Sequence, residues 1–528
     1  MMHAAGDKPR RVRGDTYVFF LVCFAAILFL SHLSYLKLPY YWDEAGQFIP
    51  TARDIYRHGS WIAHSAPPNI HPPVVAAYLA AAWKLEGYYP AVTRSAMLAL
   101  AALALLAAFL LAIELSQGAR GMPAFLAAAL LCASPLFFAQ SVMAQLDAPA
   151  MLFTAVALLW FLQNRIAAAA AACVLLVLVK ETGIVVPLTF AGWLAYERRW
   201  REAAYFLAPV AALGGWIFTL ERRTGHWTGS ADSLRYNLYY PFHPIRLAVA
   251  FLRRLYTLFF ADFHWVGTTA IVLAWRKRCF FQTRSWRIAW LVVAVHVVML
   301  TFLGGAVLER YLLPAWPIVY AAMALGISRY PRIPRLACSA ALLGGVAAGH
   351  FINPPYPFPY DDNPSFTDFV RLHADAAGYL ERFYPAAQVS TAWPLTLELA
   401  HPELGYVSRP MAVRSLPNLS ARTLDQLDWQ TVDVLVVYSR TWDPPWSLMR
   451  YGPVAKFWSR FFGYVPEVSS GEATAQTPFP LELHLDRHGQ WVDVYVNPRI
   501  PRSKTLDPRR AAPAQAVANS NPSEPALH

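Results

Sequence analysis

TYVFFLVCFAAILFLSHLSYL, residues 16–36, carries no charged side chain, and four positions on it gives way to YYWDEAGQF, residues 40–48. A membrane-spanning helix needs about 20 predominantly apolar residues, so the first stretch predicts a crossing. The second adds an aromatic trio and two adjacent acids where that crossing ends. Ten further apolar runs follow, near 93–116, 121–141, 146–164, 165–181, 182–197, 202–220, 255–275, 287–306, 310–328 and 334–351. The expected fold is therefore an α-helical polytopic membrane protein with about eleven transmembrane helices. Residues 165–181 follow 146–164 after only Gln163, Asn164 and Arg165, which makes a short inner turn.

Composition agrees with lipid contact. Of 528 residues, 56% are hydrophobic and only 15% charged, with 19 Trp and a mean hydropathy of +0.32. Soluble domains carry about 25% charged residues; a soluble chain this apolar would expose large adhesive patches. The formal charge is +12, but the basic residues are dispersed among short loops without a nucleic-acid-binding motif, so no nucleic-acid partner is expected. Cys23, Cys132, Cys173, Cys279 and Cys338 show no C-x-x-C spacing and predict neither a disulfide framework nor a zinc site.

Short basic loops set orientation, because Lys and Arg concentrate on the cytoplasmic side. Lys8, Arg10, Arg11 and Arg13 precede the first span; Arg198, Arg199 and Arg201 follow the sixth. Arg276, Lys277, Arg278 and Arg284 follow the eighth, and Arg329, Arg332 and Arg335 the tenth. Eleven spans from a cytoplasmic N-terminus (1–15) put each of these clusters inside, while the outer loop 221–254 goes against the rule with Arg222, Arg223, Arg235, Arg246, Arg253 and Arg254. The first run is too long for a signal peptide and lacks a small-residue cleavage site, so it is read as a retained helix. The helical part covers 16–351, with outer loops 37–92 and 221–254. The 13-residue apolar stretch His71–Trp83 opens with Pro72 and Pro73 and suits an interfacial helix rather than a span. NPPYPFPYDDNP, residues 353–364, reads as a proline-rich linker. Beyond it, helix-like stretches at 366–384 and 449–462 alternate with strand-like runs at Val432–Tyr438 and Trp491–Val496. This predicts a C-terminal soluble α/β domain over 352–500, extracytoplasmic, with a disordered tail at 501–528. The expected location is a bacterial inner membrane.

Five short elements hold the chemistry. Asp43 and Glu44 open the first outer loop, and His71 begins the HPP turn where that loop returns. Asp147 stands in AQLDAPA at the head of a span, where a helix dipole alone would welcome an acid. Lys180 and Glu181 interrupt two apolar stretches in LVKETG and could pair with each other. Arg310 follows Glu309 in LERYLLPAWP, where a snorkelling role would also suit it. Taken singly, each has a structural explanation. Under the topology set by the basic loops, however, all five fall on the outer face at membrane level. Interfacial ionisable groups are functional candidates by default.

In that order and on that face, YWDE (41–44), HPP (71–73), LDAP (146–149), VKE (179–181) and RYLLP (310–314) resemble the GT-C glycosyltransferases. The resemblance is to the family 39 type: protein O-mannosyltransferases and the bacterial aminoarabinose transferase of lipid A. It covers roughly residues 16–330 and is most specific at the Asp-Glu pair and the HPP turn. Aminoarabinose transferases typically carry Lys where His71 stands; the mannosyltransferases carry His. The resemblance implies a polyprenyl-phosphate sugar donor and an inverting, single-displacement transfer to a lipid, glycan or protein acceptor. Asp43 would be the general base, with Glu44 and Asp147 shaping the acceptor side. His71, Lys180 and Arg310 would receive the donor phosphate, and Arg235, Tyr236 and Tyr239 of loop 221–254 would fold over the donor.

Elementary chemistry agrees. Charge grows on the lipid phosphate as it leaves, and preorganised cations in a poorly hydrated site stabilise it. No Asp-x-Asp in the helical part, P-loop or G-x-G-x-x-G points to a nucleotide-sugar donor. No cofactor is implied, and dependence on a divalent metal stays open at this point. A transporter or flippase of lipid-linked sugars would need two related halves with interrupted helices, which the sequence lacks. A polysaccharide polymerase or ligase differs mainly in its acceptor.

Overall fold

Leu-, Ala- and Val-rich runs give a bundle of helices, to which residues 389–496 add one small sheet. The computed structural model describes residues 14–116, 122–276, 280–303, 306–444 and 446–503. Lys8, Arg10, Arg11, Arg13, Lys277, Arg278 and the expected disordered tail from residue 504 lie outside the described residues.

Among the described residues five helices are long and apolar enough to cross a membrane: Gly14–Ser31, Pro90–Leu115, Trp200–Thr224, Arg284–Phe302 and Glu309–Ser328. Two bent pairs bring the number to seven if each is one crossing. The run read as 121–141 is one of them: Pro123–Ala133 and Pro135–Val142 meet at 66°. Pro135 cannot continue the first helix, and the Ser134 side chain caps the second by accepting from Phe137 N at 3.3 Å. Pro244–Phe259 and Ala261–Arg276 form the other, bent by 45° where Asp262 adopts a left-handed φ of 48°. The latter pair begins at Pro244, inside the expected outer loop 221–254. Asp147–Leu162 and Ile166–Val179 are separate apolar helices of 16 and 14 residues. Asn164 turns the chain between them with a φ of 59°. The stretch after the HPP turn forms the short helix Val74–Glu86.

The sheet contains β1 (Val389–Ala392), β2 (Val413–Leu416), β3 (Val434–Tyr438), β4 (Leu481–Arg487) and β5 (Gln490–Val496), in the order β2-β1-β3-β5-β4. The first three run parallel, while β5 pairs antiparallel with both β3 and β4. Every residue of β3 is buried, as a central strand of β-branched residues should be. The amphipathic helix Phe366–Phe383 covers β4 and β5.

This C-terminal unit sits directly on the 37–92 segment that joins Gly14–Ser31 to Pro90–Leu115. Tyr406 donates to the carbonyl of Tyr40 at 3.0 Å, Tyr88 to that of Glu403 at 2.8 Å, and Arg53 pairs with Glu403 at 2.5 Å. Within the loop, buried Asp54 accepts from His64 N, Ser65 N and Ser65 Oγ at 2.6, 2.8 and 2.6 Å. Burial alone would raise the Asp54 pKa, but these three hydrogen bonds prevail and hold it below its ordinary value.

Candidate active site

Arg310 lies at the centre of a polar cluster built from five separate segments. It heads a 3-10 turn, Glu309–Ala315, that Pro314 keeps from closing as an α-helix before Trp316–Ser328 begins. One terminal nitrogen donates to Asp43 and the other to Asp361, while Nε lies 3.6 Å from Asp147. Asp147, in the first turn of its helix, accepts from Lys180 as well. The Lys180 ammonium also stands 4.1 Å from the centre of the Tyr311 ring, a cation–π distance. Three carboxylates thus meet two cations. Arg310, Lys180, Asp147 and Asp361 are buried, whereas the Asp43 side chain keeps 29% exposure.

Local backbone explains why Asp43 faces this cluster. Trp42 holds a left-handed φ of 43°, unusual for an aromatic residue. Its ring is wedged by Trp393 at 4.6 Å and Phe369 at 5.9 Å, with the Arg440 guanidinium 5.5 Å away. The chain then enters the helical turn Glu44–Phe48, in which adjacent residues point in different directions.

Glu44 accordingly faces the other way, which corrects its expected place on the acceptor side. Its carboxylate has no exposure and four donors: Arg94 at 2.7 and 3.0 Å, Ala144 N at 2.6 Å and Tyr41 N at 2.9 Å. Nothing is left to meet a substrate. Through Ala144 it holds the segment that leads into Asp147.

Lys180 and Glu181 do not pair with each other. Lys180 turns to Asp147, and Glu181 lies 2.8 Å from Nδ1 of His71. His71, Lys180 and Tyr311 share one cavity of 170 Å³ with Glu181, Thr228 and Asn237. His71 is therefore brought beside the cluster without touching Arg310. The expected donor loop is present as the turn Arg235–Tyr239; Arg235, Tyr236 and Tyr239 are exposed, and the Tyr236 hydroxyl lies close enough to Asp43 and Tyr311 to feel their charges. Its neighbours Ser233, Asn237 and Leu238 line the cavity instead.

Sequence reasoning missed Asp361. The signal was available, because YDD places two acids inside an otherwise apolar, proline-rich segment. Gln140 Nε2 holds the Asp361 carbonyl at 3.0 Å and so aims its carboxylate at Arg310. Among the described residues no group of three or more His, Cys, Asp and Glu is arranged to hold a metal ion. Each cluster carboxylate instead faces Arg310 or Lys180.

The same fold occurs in ArnT from Cupriavidus metallidurans. Its structure bound to undecaprenyl phosphate superposes with a TM-score of 0.51 at 12% identity, over 91% of this chain and 98% of that one. The apo structure gives 0.50 at 13% identity over the same shares. This chain has the GT-C glycosyltransferase fold. The Archaeoglobus fulgidus oligosaccharyltransferase AglB with bound dolichol-phosphate overlaps over 80% of this chain and 69% of its own, at 13% identity and a TM-score of 0.47. No family model matches the sequence, and no curated protein matches it significantly. The kinship to ArnT is thus one of architecture. Within this GT-C fold the Asp43–Arg310 cluster lies where the 37–92 segment, the Lys180 turn, the RYLLP turn and the 353–364 linker converge.

Proposed function

We propose that this chain is an integral membrane glycosyltransferase that moves a sugar from a polyprenyl-phosphate donor to a hydroxyl or amine of a lipid, glycan or protein acceptor, with inversion at the anomeric carbon. The observation that carries the reading is the meeting of Asp43 with Arg310. A partly exposed carboxylate stands against a buried cation, itself one step from Lys180. Arg310 and Lys180 receive the donor phosphate, with His71 at the wall of the adjoining cavity. The arriving phosphate competes with Asp43 for Arg310 and frees the carboxylate to act as base. Asp43 takes the proton of the acceptor as its oxygen or nitrogen attacks the anomeric carbon from the face opposite the phosphate. The bond from that carbon to the phosphate oxygen breaks, and the lipid phosphate leaves with the electron pair, its charge balanced by the cations. The ArnT structure with undecaprenyl phosphate supports a lipid phosphate of that class as the carrier.

In this reading Asp147–Leu162, Ile166–Val179, Val185–Tyr196 and Arg332–Ala348 also cross, which with the seven above makes eleven spans, and residues 352–503 lie outside a bacterial inner membrane. Arg284 donates to Glu197 at 2.7 and 2.8 Å, which favours one side for the basic turns near 198 and 284. A reporter fused after Asn353 that works only in the cytoplasm overturns this topology. The reaction is tested by incubating purified protein with a panel of polyprenyl-phosphate sugars and acceptor extracts. Released polyprenyl phosphate is expected for one donor, and its absence across a broad panel counts against the transferase.

A further inference from the structure

Residues 446–465 read WSLMRYGPVAKFWSRFFGYV, with Arg450, Lys456 and Arg460 and no acid. Among the described residues after 353, every strongly exposed large apolar side chain but Leu481 falls in this segment. Trp446 is 62% exposed, Leu448 62%, Tyr451 66% and Val465 53%. The stretch includes the amphipathic helix Gly452–Phe462, in which no residue is buried. A water-facing surface of an α/β unit has no reason to gather its exposed aromatics in one place.

The segment is held in position. Tyr464 donates to Asp443 at 2.8 Å, and Arg440 pairs with Glu467 at 3.0 Å just beyond it. At the end of the helix, Tyr240 donates to the carbonyl of Phe462 at 2.9 Å and Arg246 to that of Phe461; the His243 and Phe461 rings are 5.4 Å apart. Those partners lead directly into Pro244–Phe259, the first arm of a bent pair apolar enough to cross a membrane. Phe242, Leu252, Tyr256 and Phe260 are exposed there. The aromatic segment of the C-terminal unit is therefore continuous with the exposed apolar surface of that arm.

We propose that residues 446–465 form a membrane-surface anchor that seats the C-terminal unit on the lipid headgroups beside the 235–246 turn. Trp446, Leu448 and Tyr451 enter the interface, where amphipathic aromatic rings are most favourable. Arg450, Lys456 and Arg460 meet the phosphates of the lipids, as in helices that lie in the membrane plane. This assignment is independent of the reaction catalysed.

The test uses the full-length chain in nanodiscs of phosphatidylethanolamine and phosphatidylglycerol. With the five native cysteines replaced by serine, single cysteines at Leu448 or Tyr451 carry a nitroxide. Leu252 serves as a lipid-facing reference and Glu482, on edge strand β4, as a water-facing one. Collision with oxygen relative to a water-soluble nickel chelate is expected to be several-fold higher at either new position than at Glu482, approaching Leu252. If both match Glu482, the anchor does not exist. Photolabelling of the unaltered chain by a lipid with a headgroup-region diazirine gives a second reading. Modified peptides within 446–465 are expected, and labelling confined to residues before 353 overturns the proposal.

Discussion

Arg310 donates to the carboxylate of Asp43, a residue 267 positions earlier in the chain. The same guanidinium reaches Asp361 in the linker that follows the helical part. One side chain therefore ties the 37–92 segment, the RYLLP turn and the entry to the C-terminal unit. Any change in what Arg310 binds is felt by Asp43 first, because of its carboxylate partners only Asp43 remains open to solvent.

Glu44 tests whether the acid pair divides its labour. Glu44→Gln leaves the Arg94 guanidinium buried without its counter-charge, and breaking a buried pair costs about 3–5 kcal/mol. The thermal midpoint in detergent is expected to fall, with a Glu44→Leu, Arg94→Met double variant recovering part of the loss. Unchanged stability with abolished transfer would move the base from Asp43 to Glu44.

Lys180 tests the phosphate site. It contacts Asp147 and the Tyr311 ring, so Lys180→Met removes a charge without emptying a packed core position. Hydrogen bonds to charged groups contribute about 1.5–3 kcal/mol, so donor affinity is expected to fall about tenfold or more. Direct binding of a polyprenyl phosphate measures it, and unchanged affinity would leave Lys180 as a structural partner of Asp147.

Asp54 tests how the 37–92 loop is fastened. Its folded pKa lies below the ordinary 3.8, so its stabilising effect is fully present above that value and is lost as pH falls through the folded pKa. Hydrogen-exchange protection of the His64 and Ser65 amides, corrected for intrinsic rates, is expected to be constant near neutrality and to collapse in strong acid. Asp54→Asn should weaken it near neutrality and make no further difference in strong acid. Protection that ignores both changes would assign the loop's order to Arg53–Glu403 instead.

The helical class was legible because a lipid-facing helix must be apolar along its whole length. Helix breaks were less so: Ser134 and Asp262 bend their helices by local capping and a left-handed residue, which a hydropathy window averages away. Asp43, Asp147, Lys180 and Arg310 could be singled out because charges at the ends of apolar runs are expensive to place there without purpose. Their partners could not be read from sequence. Which of two adjacent acids faces inward depends on the φ of Trp42, and that is imposed by Trp393 and Phe369 from far along the chain. For Asp361, YDD marked two acids, but a proline-rich linker gives no periodicity to tell which of them turns inward.

Asp43 bears most of the proposed chemistry. Asp43→Asn preserves size and can still accept from Arg310, but it cannot take a proton near neutral pH. Turnover is expected to drop by about 10²–10⁴-fold, the usual contribution of a general base. Donor affinity should hold or rise, because the phosphate then competes with a neutral amide rather than a carboxylate for Arg310. This opposite movement of turnover and affinity separates a base from a merely structural partner, whose loss would disturb both. Asp361→Asn supplies the comparison: it also relieves Arg310 of a carboxylate, yet its side chain is buried away from any acceptor. Tighter donor binding with turnover largely kept is expected for Asp361→Asn. Near-normal transfer by Asp43→Asn would remove Asp43 from the reaction, whatever its pairing with Arg310.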